Sequence, residues 1–567
     1  MQKSVNTLAT DNKKSTNKNM KNYTAKFLIA LLMVAAILPQ QSVAQEKKAT
    51  APDNSKYILT PPAPNTPRIN SARVFGVRPK AEFRYTIAAT GIRPMTFSAE
   101  GLPKGLKLDE KTGIITGVLK KEGTYNVTLR AKNTLGEAER DLRIVVGEDI
   151  LLTPPMGWNS WNCWGKSVSQ EKVLSSAKAM VDKGLANYGY TYINIDDGWQ
   201  GIRGGKYNAI QPNKKFEDIK GLVDTIHGMG LKAGIYSAPW VCTYLGHIGT
   251  QCDNPEGKYE WIEKGVCDEN YKLEDPNKKL HSGYFRYHGA YSFAEQDAKQ
   301  WADWGIDYLK YDWNPNDYYY TKEMADALRA TGRDIALSIS GSDPFAMART
   351  WSKLTQCWRT TDDIFDTWSS IVRIGFGPQD RWPAFSGPGH WADADMLVVG
   401  MVGWGPNLHY TRLTPDEQYT HISLWALFSS PFLIGCDIAQ MDDFTLSLLC
   451  NYEVNDICQD PLGMRGVPYF RGDGYVVYVK ILENGNLAVG LFNTSTKPQK
   501  IGFTPRTLGL WSKEITVRDV WRQKDVAKIG PRDRYEEEIA PHGCSLLIVS
   551  PPNTEEKIVD KPYIIKQ

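Results

Sequence analysis

The chain of 567 residues is nearly four times the ~150 residues typical of one domain, so several domains are expected. Hydrophobic residues make up 42% of the chain and charged residues 23%, which excludes disorder or a fibrous repeat as the main architecture. The formal net charge of +3 lacks the concentrated basic charge that nucleic-acid binding needs. The 18 Trp, 28 Tyr and 17 Phe are numerous, and such rings either fill cores or stack on ligands, including sugars.

Residues 1–44 have the pattern of a secretory signal peptide. Residues 27–39 form an apolar run that follows lysines and precedes Ser-Val-Ala, which predicts cleavage after Ala44 and export to the periplasm or the medium. The run is too short to span a bilayer, and no other run is long and apolar enough, so we expect no membrane span in the mature chain. Cleavage would change the net charge to about −2.

Nine cysteines follow the predicted signal peptide. Export permits disulfides, although an odd number leaves at least one cysteine outside any internal pair. Neither CxxC pairs nor Cys/His clusters with zinc-ligand spacing occur, so the sequence predicts no structural zinc site, and we expect no cofactor.

The next segments predict a linker and a small β-domain. Residues 45–68 are rich in Lys, Pro and Asn, as linkers are. Residues 69–149 alternate short apolar runs with turn residues every eight to twelve positions, a pattern typical of a β-sandwich. This segment resembles the immunoglobulin-like modules that precede carbohydrate-active domains in secreted bacterial proteins. It has no clustered catalytic-type residues, so a spacer role is favoured over sugar binding.

Residues 150–463 repeat a helix-then-strand pattern. Apolar residues at helical spacing precede short buried runs such as 192–195, 231–236 and 306–311. Such alternation predicts a parallel sheet, and about 300 residues suit a (β/α)8 TIM barrel. A doubly wound sheet is the alternative, but no glycine-rich phosphate loop follows the first strand. Residues 464–553 predict a C-terminal antiparallel β-sandwich, and residues 554–567 form a polar tail.

Carboxylates and aromatic residues stand where the predicted barrel strands end. An Asp after a strand is often only a helix cap or turn former, but here five strand ends coincide. The carboxyl ends of barrel strands face one mouth, which is where barrel enzymes keep their active sites. The five segments are Asp196-Asp197-Gly198-Trp199, Tyr236, Lys310-Tyr311-Asp312-Trp313, Arg359 with Asp362-Asp363, and Asp393-Ala394-Asp395.

Three kinds of chemistry could use carboxylates at such a mouth. Metal binding by Asp393 and Asp395 lacks a Glu/His partner set. Nucleophilic serine or cysteine chemistry lacks a Gly-x-Ser-x-Gly elbow, and His390 is the only histidine beside the motifs. Paired carboxylates with stacking aromatics suit glycoside hydrolysis, in which one acid protonates the leaving oxygen and another carboxylate attacks or activates water.

Six motifs occur in the order seen in glycoside hydrolase family 27, the α-galactosidase (melibiase) family, and the segment from about Leu152 to Gly466 resembles that family. The segment that follows resembles the C-terminal domain of the family. The motifs are Pro154-Pro155-Met156-Gly157-Trp158-Asn159-Ser160-Trp161, Ile195-Asp196-Asp197-Gly198-Trp199, Lys310-Tyr311-Asp312, Trp358-Arg359 with Asp363-Ile364, Asp393-Ala394-Asp395-Met396, and Gln459-Asp460-Pro461-Leu462-Gly463.

The resemblance implies an exo-α-galactosidase that retains anomeric configuration and acts on galactose-containing carbohydrates. It implies that Asp312 is the nucleophile and Asp363 the acid/base. The implied sugar contacts are Asp196 and Asp197 on the 4- and 6-hydroxyls, Trp158 as a stacking floor, and Lys310, Tyr236, Arg359 and Asp395 around the ring.

Elementary electrostatics gives two expectations for this pair of carboxyl groups. Lys310 and Arg359 should favour ionised neighbours and so keep Asp312 a carboxylate. The nearby negative charge should raise the pKa of Asp363, as a general acid requires.

Two positions depart from the family pattern. Ser340 stands where α-galactosidases of animals and plants carry a Glu that recognises the sugar 2-position, so a larger 2-substituent has room. An α-N-acetylgalactosaminidase or a β-L-arabinopyranosidase therefore stays open, as does a non-catalytic sugar-binding protein. Asn314 stands where many members carry a disulfide-bonded Cys, so Cys242 is either unpaired or paired with Cys252 or Cys267.

Overall fold

The computed structural model describes residues 51–259, 261, 286–342 and 344–552. The predicted signal peptide, Cys267 and the polar tail lie outside the described residues.

The N-terminal module is a β-sandwich, which confirms the predicted immunoglobulin-like fold. A four-stranded sheet of order β2-β9-β8-β5 faces a three-stranded sheet of order β3-β7-β6, and β1 pairs with β4. Alternate residues of β8, such as Val127 and Leu129, are buried between the sheets, as period-two patterning requires. The strands are β1 (Arg68–Ile69), β2 (Val74–Val77), β3 (Glu82–Thr86), β4 (Ala89–Thr90), β5 (Thr96–Glu100), β6 (Leu106–Leu108), β7 (Ile114–Val118), β8 (Gly123–Asn133) and β9 (Gly136–Val146).

The described part of the predicted linker runs along the barrel. The Leu59 N–H donates to Tyr419 Oη at 3.1 Å, and the same hydroxyl donates to the Tyr57 carbonyl at 2.7 Å. Asn451 Nδ2 donates to Thr60 Oγ1 at 3.1 Å. These contacts fix the path of the chain between residues 57 and 60 on the barrel surface.

The central domain is the predicted (β/α)8 barrel. Its eight strands are parallel and buried, and a parallel bridge between Leu397 and Ile434 joins the segment after the seventh strand to the eighth. Helices cover the outside, so both strand faces are apolar. In chain order the strands are β10 (Met156–Asn159), β11 (Tyr192–Asn194), β14 (Lys232–Ser237), β17 (Tyr308–Asp312), β18 (Ala336–Ser340), β19 (Cys357–Arg359), β20 (Trp391–Asp393) and β23 (Phe432–Ile434).

Helices and short pairs of strands complete the barrel. The helices are α1 (Trp161–Trp164), α2 (Gln170–Asp182), α3 (Ile219–Gly228), α4 (Ala294–Trp304), α5 (Tyr318–Ala330), α6 (Ala348–Leu354), α7 (Trp368–Gly375), α8 (Pro415–Leu427), α9 (Asp443–Leu449) and α10 (Tyr452–Cys458). The paired strands are β12 (Gln200–Gly204) with β13 (Ala209–Pro212), β15 (Gln251–Cys252) with β16 (Tyr291–Ser292), and β21 (Met401–Val402) with β22 (His409–Tyr410).

The immunoglobulin-like module covers the amino ends of the barrel strands. A cavity of about 120 Å³ between them is lined by module residues such as Tyr85 and by the strand starts Tyr192 and Ala336. Arg78 Nε donates to Asp334 Oδ1 at 2.6 Å, and both side chains are largely buried. The module therefore closes the barrel end that lies away from the carboxyl ends of the strands.

The C-terminal domain is antiparallel, as predicted. Its six-stranded sheet has the order β24-β25-β26-β31-β28-β29, and β27 pairs with β30. The buried Lys480 of β25 donates to Ser429 Oγ at 2.6 Å, which ties this domain to the barrel. The strands are β24 (Val467–Gly472), β25 (Tyr475–Ile481), β26 (Leu487–Asn493), β27 (Gln499–Phe503), β28 (Ile515–Asp519), β29 (Lys524–Ile529), β30 (Tyr535–Ile539) and β31 (Cys544–Ser550).

Two absences hold for the described part of the chain. No helix there is long and apolar enough to cross a membrane. No two cysteines there form a disulfide, so of the alternatives left open for Cys242, pairing with Cys252 does not occur. The Cys252 thiol donates instead to the Lys258 carbonyl at 3.2 Å.

Candidate active site

A cavity of about 640 Å³ opens at the carboxyl ends of the barrel strands. It brings together every predicted site residue except Trp158. The lining residues are Trp161, Asn162, Asp196, Asp197, Tyr236, Tyr244, Lys310, Asp312, Asn314, Ser340, Gly341, Ser342, Arg359, Asp362, Asp363, Ile364, Phe365, Arg373, Asp395, Met396 and Trp404.

Asp312 ends β17, deep in this cavity. Tyr236 ends the neighbouring strand β14 and donates from its hydroxyl to Asp312 Oδ2 at 3.0 Å. Burial raises the pKa of Asp312 to about 6, against the opposing effect of the Lys310 ammonium. The expectation that the cations keep Asp312 fully ionised therefore holds only above about pH 6.

Asp363 follows β19 and lies at the cavity mouth, where 67% of its side chain is exposed. Partial burial favours a raised pKa, but Arg359, whose Nη2 donates to Asp363 Oδ1 at 3.3 Å, and Lys310 outweigh it and lower the pKa of Asp363. The prediction of a raised pKa for Asp363 is therefore wrong, because the charge in contact with Asp363 is a guanidinium rather than a carboxylate.

Asp196 and Asp197 follow β11 and are both buried. Lys310 Nζ donates to Asp196 Oδ2 at 2.8 Å, which forms an ion pair at the cavity floor. Burial raises the pKa of Asp197 to about 7, although its oxygens accept hydrogen bonds from the Leu245 N–H and from Thr243 Oγ1, each at 2.9 Å. The loop after β14 thereby fixes the orientation of Asp197.

Arg359 and Asp395 form a second buried ion pair. Arg359 Nη2 lies 2.7 Å from Asp395 Oδ2, and each side chain is about 5% exposed or less. The Ile364 N–H donates to the same Asp395 oxygen at 2.8 Å. Asp395 thus holds both the guanidinium and the backbone beside Asp363, which connects the strand ends of β19 and β20.

Ser340 ends β18 and lines the cavity with a small, buried side chain. Its carbonyl accepts hydrogen bonds from the Trp313 N–H at 3.3 Å and Asn316 Nδ2 at 3.0 Å. Gly341 follows at φ +143°, and a Cβ there would lie 2.3 Å from Asn316 Oδ1. The close contact at Gly341 leaves no room for a larger residue after Ser340, and the small hydroxymethyl of Ser340 is the side chain that the end of β18 presents to the cavity.

The predicted stacking floor is wrong. Trp158 lies within β10, is fully buried, and donates from Nε1 to the Cys436 carbonyl at 2.8 Å. Trp161, which comes two residues after the end of β10, lines the cavity instead. The rule that functional residues follow the strand would have selected Trp161 within the same motif.

The other tryptophans of the motifs belong to the core. Trp199, Trp313, Trp358 and Trp391 are fully buried, so they contribute to packing rather than to ligand stacking. Four further lining residues carry no strand-end signal in the sequence: Tyr244, Phe365 and Trp404 lie on loops, and Arg373 lies on α7.

The arrangement suits acid/base and nucleophilic chemistry on a polar ring. It places two carboxyl groups with different pKa values in one cavity, beside two buried ion pairs that can exchange hydrogen bonds with hydroxyls. Within the described ranges, no group of His, Cys, Asp and Glu side chains could hold a metal ion.

Models of known families match all three domains of the chain. The model of the alpha galactosidase A family matches residues 153–285 and 255–460. The model of the alpha galactosidase C-terminal beta sandwich domain matches residues 472–549, and an Ig domain model matches residues 66–147.

Individual relatives match over most of the chain. The alpha-galactosidase of Cyamopsis tetragonoloba is 34% identical, over 75% of this chain and 93% of its own length. A crystal structure provisionally described as an alpha-galactosidase, from Bacteroides fragilis NCTC 9343, is 34% identical with a TM-score of 0.72, covering 86% of this chain and 98% of that chain. The β-L-arabinopyranosidase of Geobacillus stearothermophilus is 27% identical with a TM-score of 0.60, covering 72% and 98% respectively.

Proposed function

Because the chain belongs to glycoside hydrolase family 27, the alpha-galactosidase family, we propose that it removes terminal α-linked galactose from oligo- or polysaccharides with retention of configuration. The chain is a glycoside hydrolase of the galactosidase type. The main support for the proposed sugar and stereochemistry is that Asp312 and Asp363 line one cavity. The ion pairs Asp196–Lys310 and Arg359–Asp395 line the same cavity.

The proposed reaction is a double displacement. The Asp312 carboxylate attacks the anomeric carbon, and Asp363 donates its proton to the departing glycosidic oxygen, which breaks the glycosidic bond. Asp363 as a carboxylate then takes a proton from water, whose oxygen attacks the anomeric carbon and releases Asp312. Two inversions at one carbon give net retention.

The roles of the other residues follow from their contacts. Tyr236 donates to Asp312 Oδ2, which stabilises the carboxylate form and leaves the other oxygen for attack. Arg359 lies against both Asp363 and Asp395, so it can stabilise Asp363 when that group becomes a carboxylate.

Hydrolysis of nitrophenyl α-galactoside tests the reaction, with NMR used to identify the anomer of galactose that forms first. The wild-type protein should release α-galactose first. Asp312→Asn keeps the size of the side chain but removes the nucleophile, so kcat should fall by about 10³-fold or more. Asp326→Asn, at an exposed position on α5, is the matched control and should keep wild-type activity. Full activity of Asp312→Asn would contradict the assignment.

A different sugar in the same site is the second candidate, and Ser340 is the observation that favours it. Its small side chain at the cavity leaves space for a substituent on the ring, such as an N-acetyl group. The arabinopyranosidase relative is a further reason to include L-arabinopyranosides. The carboxylates Asp196 and Asp197 favour galactose over L-arabinopyranose, which lacks the hydroxymethyl group that they are proposed to bind.

A side-by-side assay of galactosyl, N-acetylgalactosaminyl and L-arabinopyranosyl substrates decides between these sugars. The proposal expects the highest kcat/KM for the galactoside. Faster turnover of either other sugar would replace the proposed substrate and keep the mechanism. Turnover of none of them, with measurable sugar binding, would instead support a non-catalytic binding role.

Export is proposed from residues 1–44 alone. Expression of the full chain in a Gram-negative host should give activity in the periplasm or medium, and mass spectrometry should find a mature protein that begins at Gln45. Full-length protein confined to the cytoplasm would contradict the signal peptide.

A further inference from the structure

Two aromatic rings, those of Phe365 and Trp404, face each other at the cavity mouth. Their centroids are 5.5 Å apart with planes inclined at 37°. Both side chains line the cavity, Phe365 is 49% exposed, and Trp404 is partly exposed. The tryptophans of the core are fully buried, so this pair is placed differently from the aromatic residues that serve packing alone.

The backbone at Trp404 is strained. Trp404 lies at the tip of the β21–β22 hairpin with φ +54°, a conformation that bulky side chains rarely adopt. The N–H groups of Gly403 and Trp404 donate to the Asn162 carbonyl at 2.9 and 3.0 Å. A Cβ at Gly165 would lie 2.5 Å from the Trp404 carbonyl oxygen, so α1 and the hairpin tip are in close contact. Strained residues of this kind cluster at ligand-binding positions.

A buried carboxylate connects the two segments that carry the rings. Asp366 is fully buried and comes three residues after Asp363. It accepts hydrogen bonds from the Arg412 N–H at 2.9 Å and from Arg412 Nη2 at 2.5 Å, and it lies 3.2 Å from His409 Nε2. The contacts hold the segment 363–366 against the segment 401–412, so the rings keep a fixed place beside Asp363.

We propose that Phe365 and Trp404 form a leaving-group subsite that binds the apolar face of a pyranose ring or of an aryl group. The inference rests on the proposed function, in which Asp363 protonates the glycosidic oxygen. The group on that oxygen must lie beside Asp363, and Asp363 is exposed at the mouth of the cavity that both rings also line. Asp362 and Arg373, with Nη1 3.6 Å from Asp362 Oδ2, stand at the same mouth and offer polar partners for hydroxyls.

Substrates that share a sugar but differ in the leaving group test the subsite. The three substrates are α-galactosyl fluoride, which has no ring on the leaving side, nitrophenyl α-galactoside, and α-1,6-linked galactosyl-glucose. In Trp404→Ala and in Phe365→Ala, the ratio of kcat/KM for a ring-bearing substrate to kcat/KM for the fluoride should fall about fivefold. A fall for the nitrophenyl substrate alone would assign the subsite to aryl groups, and a fall for the disaccharide alone to pyranose rings.

Two controls accompany these variants. Trp511→Ala removes a tryptophan that is 65% exposed in the C-terminal domain, away from the cavity, and should leave the ratio at the wild-type value. Phe365→Leu keeps most of the side-chain volume but removes the aromatic face, and should lower the ratio as Phe365→Ala does. A ratio within twofold of wild type for both substrates in folded Trp404→Ala and Phe365→Leu would overturn the subsite.

The experiment separates this inference from the proposed function. If the wild-type protein cleaves no galactosyl substrate, the proposed sugar is wrong, and the ratio is measured with the N-acetylgalactosaminyl or L-arabinopyranosyl series that it does cleave. If it cleaves none, the affinity for a nonhydrolysable phenyl thiogalactoside relative to free galactose gives the same comparison without turnover. An unchanged affinity ratio in both variants would then overturn the subsite.

Discussion

At the scale of single residues, the proposed mechanism makes the pH range of activity depend on the protonation of Asp312 and Asp363. Burial raises the pKa of Asp312 to about 6, while Arg359 and Lys310 lower that of Asp363, so a single proton on the pair rests mainly on Asp312. The proposed mechanism needs that proton on Asp363, but both arrangements hold one proton, so we expect kcat/KM to follow the singly protonated pair.

This gives a bell-shaped profile of kcat/KM against pH. Above about pH 6 the pair loses its proton and no acid remains, so kcat/KM should fall. The acid limb should lie below the ordinary aspartate value, where Asp363 also becomes protonated and the nucleophile is lost. Initial rates with a nitrophenyl substrate across the acid range measure both limbs. A plateau that extends past neutral pH would contradict the prediction.

Tyr236→Phe should move the alkaline limb of that profile. The Tyr236 hydroxyl donates to Asp312 Oδ2 and so stabilises the carboxylate. Loss of a hydrogen bond to a charged group is worth about 1.5 kcal/mol, so the pKa of Asp312 should rise by about one unit and the limb should shift to higher pH. Tyr192→Phe, a buried tyrosine at the amino end of the barrel, is the matched control and should leave the limb in place. A shift to lower pH would contradict the role given to Tyr236.

The positions of the acidic residues could be read from the sequence because each follows a short buried run. The strand-end rule places Asp196, Asp312 and Asp395 at one mouth without any knowledge of side-chain contacts. The pKa directions could not be read in this way, because they depend on which cation points at which carboxylate. Only the structure shows that Arg359 contacts both Asp363 and Asp395.

At the scale of elements, the hairpin β21–β22 could not be predicted from patterns in the sequence. Its strands have two residues each, so no period of two can develop, and Trp404 stands between glycines as it would in any loop. In the barrel, by contrast, the helix-then-strand unit recurs many times along the chain, so its elements were predictable. Phe365 was missed for a similar reason, since it belongs to the loop between β19 and α7.

Arg412→Met tests whether this hairpin supports the loop that carries Asp363. The change removes the Nη2 and Nε donors from the buried Asp366 carboxylate, so the free energy of unfolding should fall by about 1–2 kcal/mol. The expected loss is modest for hydrogen bonds to a charged group because Arg412 is 58% exposed and solvent screens its charge. kcat/KM should also fall severalfold, because the support of the Asp363 loop is weakened. Thermal unfolding and steady-state rates measure the two effects.

Arg534→Met is the matched control for this change. Arg534 pairs with Glu536 on the surface of the C-terminal domain, and its side chain is 56% exposed. An exposed pair contributes less than about 1 kcal/mol, and no catalytic segment depends on this one, so both measurements should stay near wild type. An Arg412→Met protein with wild-type kcat/KM would show that the hairpin does not position Asp363.

At the scale of the whole molecule, the immunoglobulin-like module has a structural role that its sequence did not indicate. Its strands were predictable from turn spacing. Its position against the barrel was not, because a charged residue such as Arg78 usually lies on a solvated surface and the sequence does not indicate its partner. In the fold, Arg78 and Asp334 join two domains, and Arg333 donates to Asp307 Oδ1 at 2.6 Å in the same interface. The module therefore covers apolar strand starts that would otherwise face water.

Asp334→Ala should separate stability from catalysis. Asp334 accepts hydrogen bonds from the Arg78 N–H at 2.9 Å and from Arg78 Nε at 2.6 Å, so its loss should lower the free energy of unfolding by about 1.5–3 kcal/mol and lower the Tm. kcat/KM should stay within twofold of wild type, because this interface lies at the amino ends of the strands and the catalytic cavity at their carboxyl ends. Asp326→Ala, on an exposed pair of α5, should change neither. If Asp334→Ala lowered kcat/KM tenfold at a temperature where the variant is folded, the module would be coupled to the active site rather than serving only to cover the barrel.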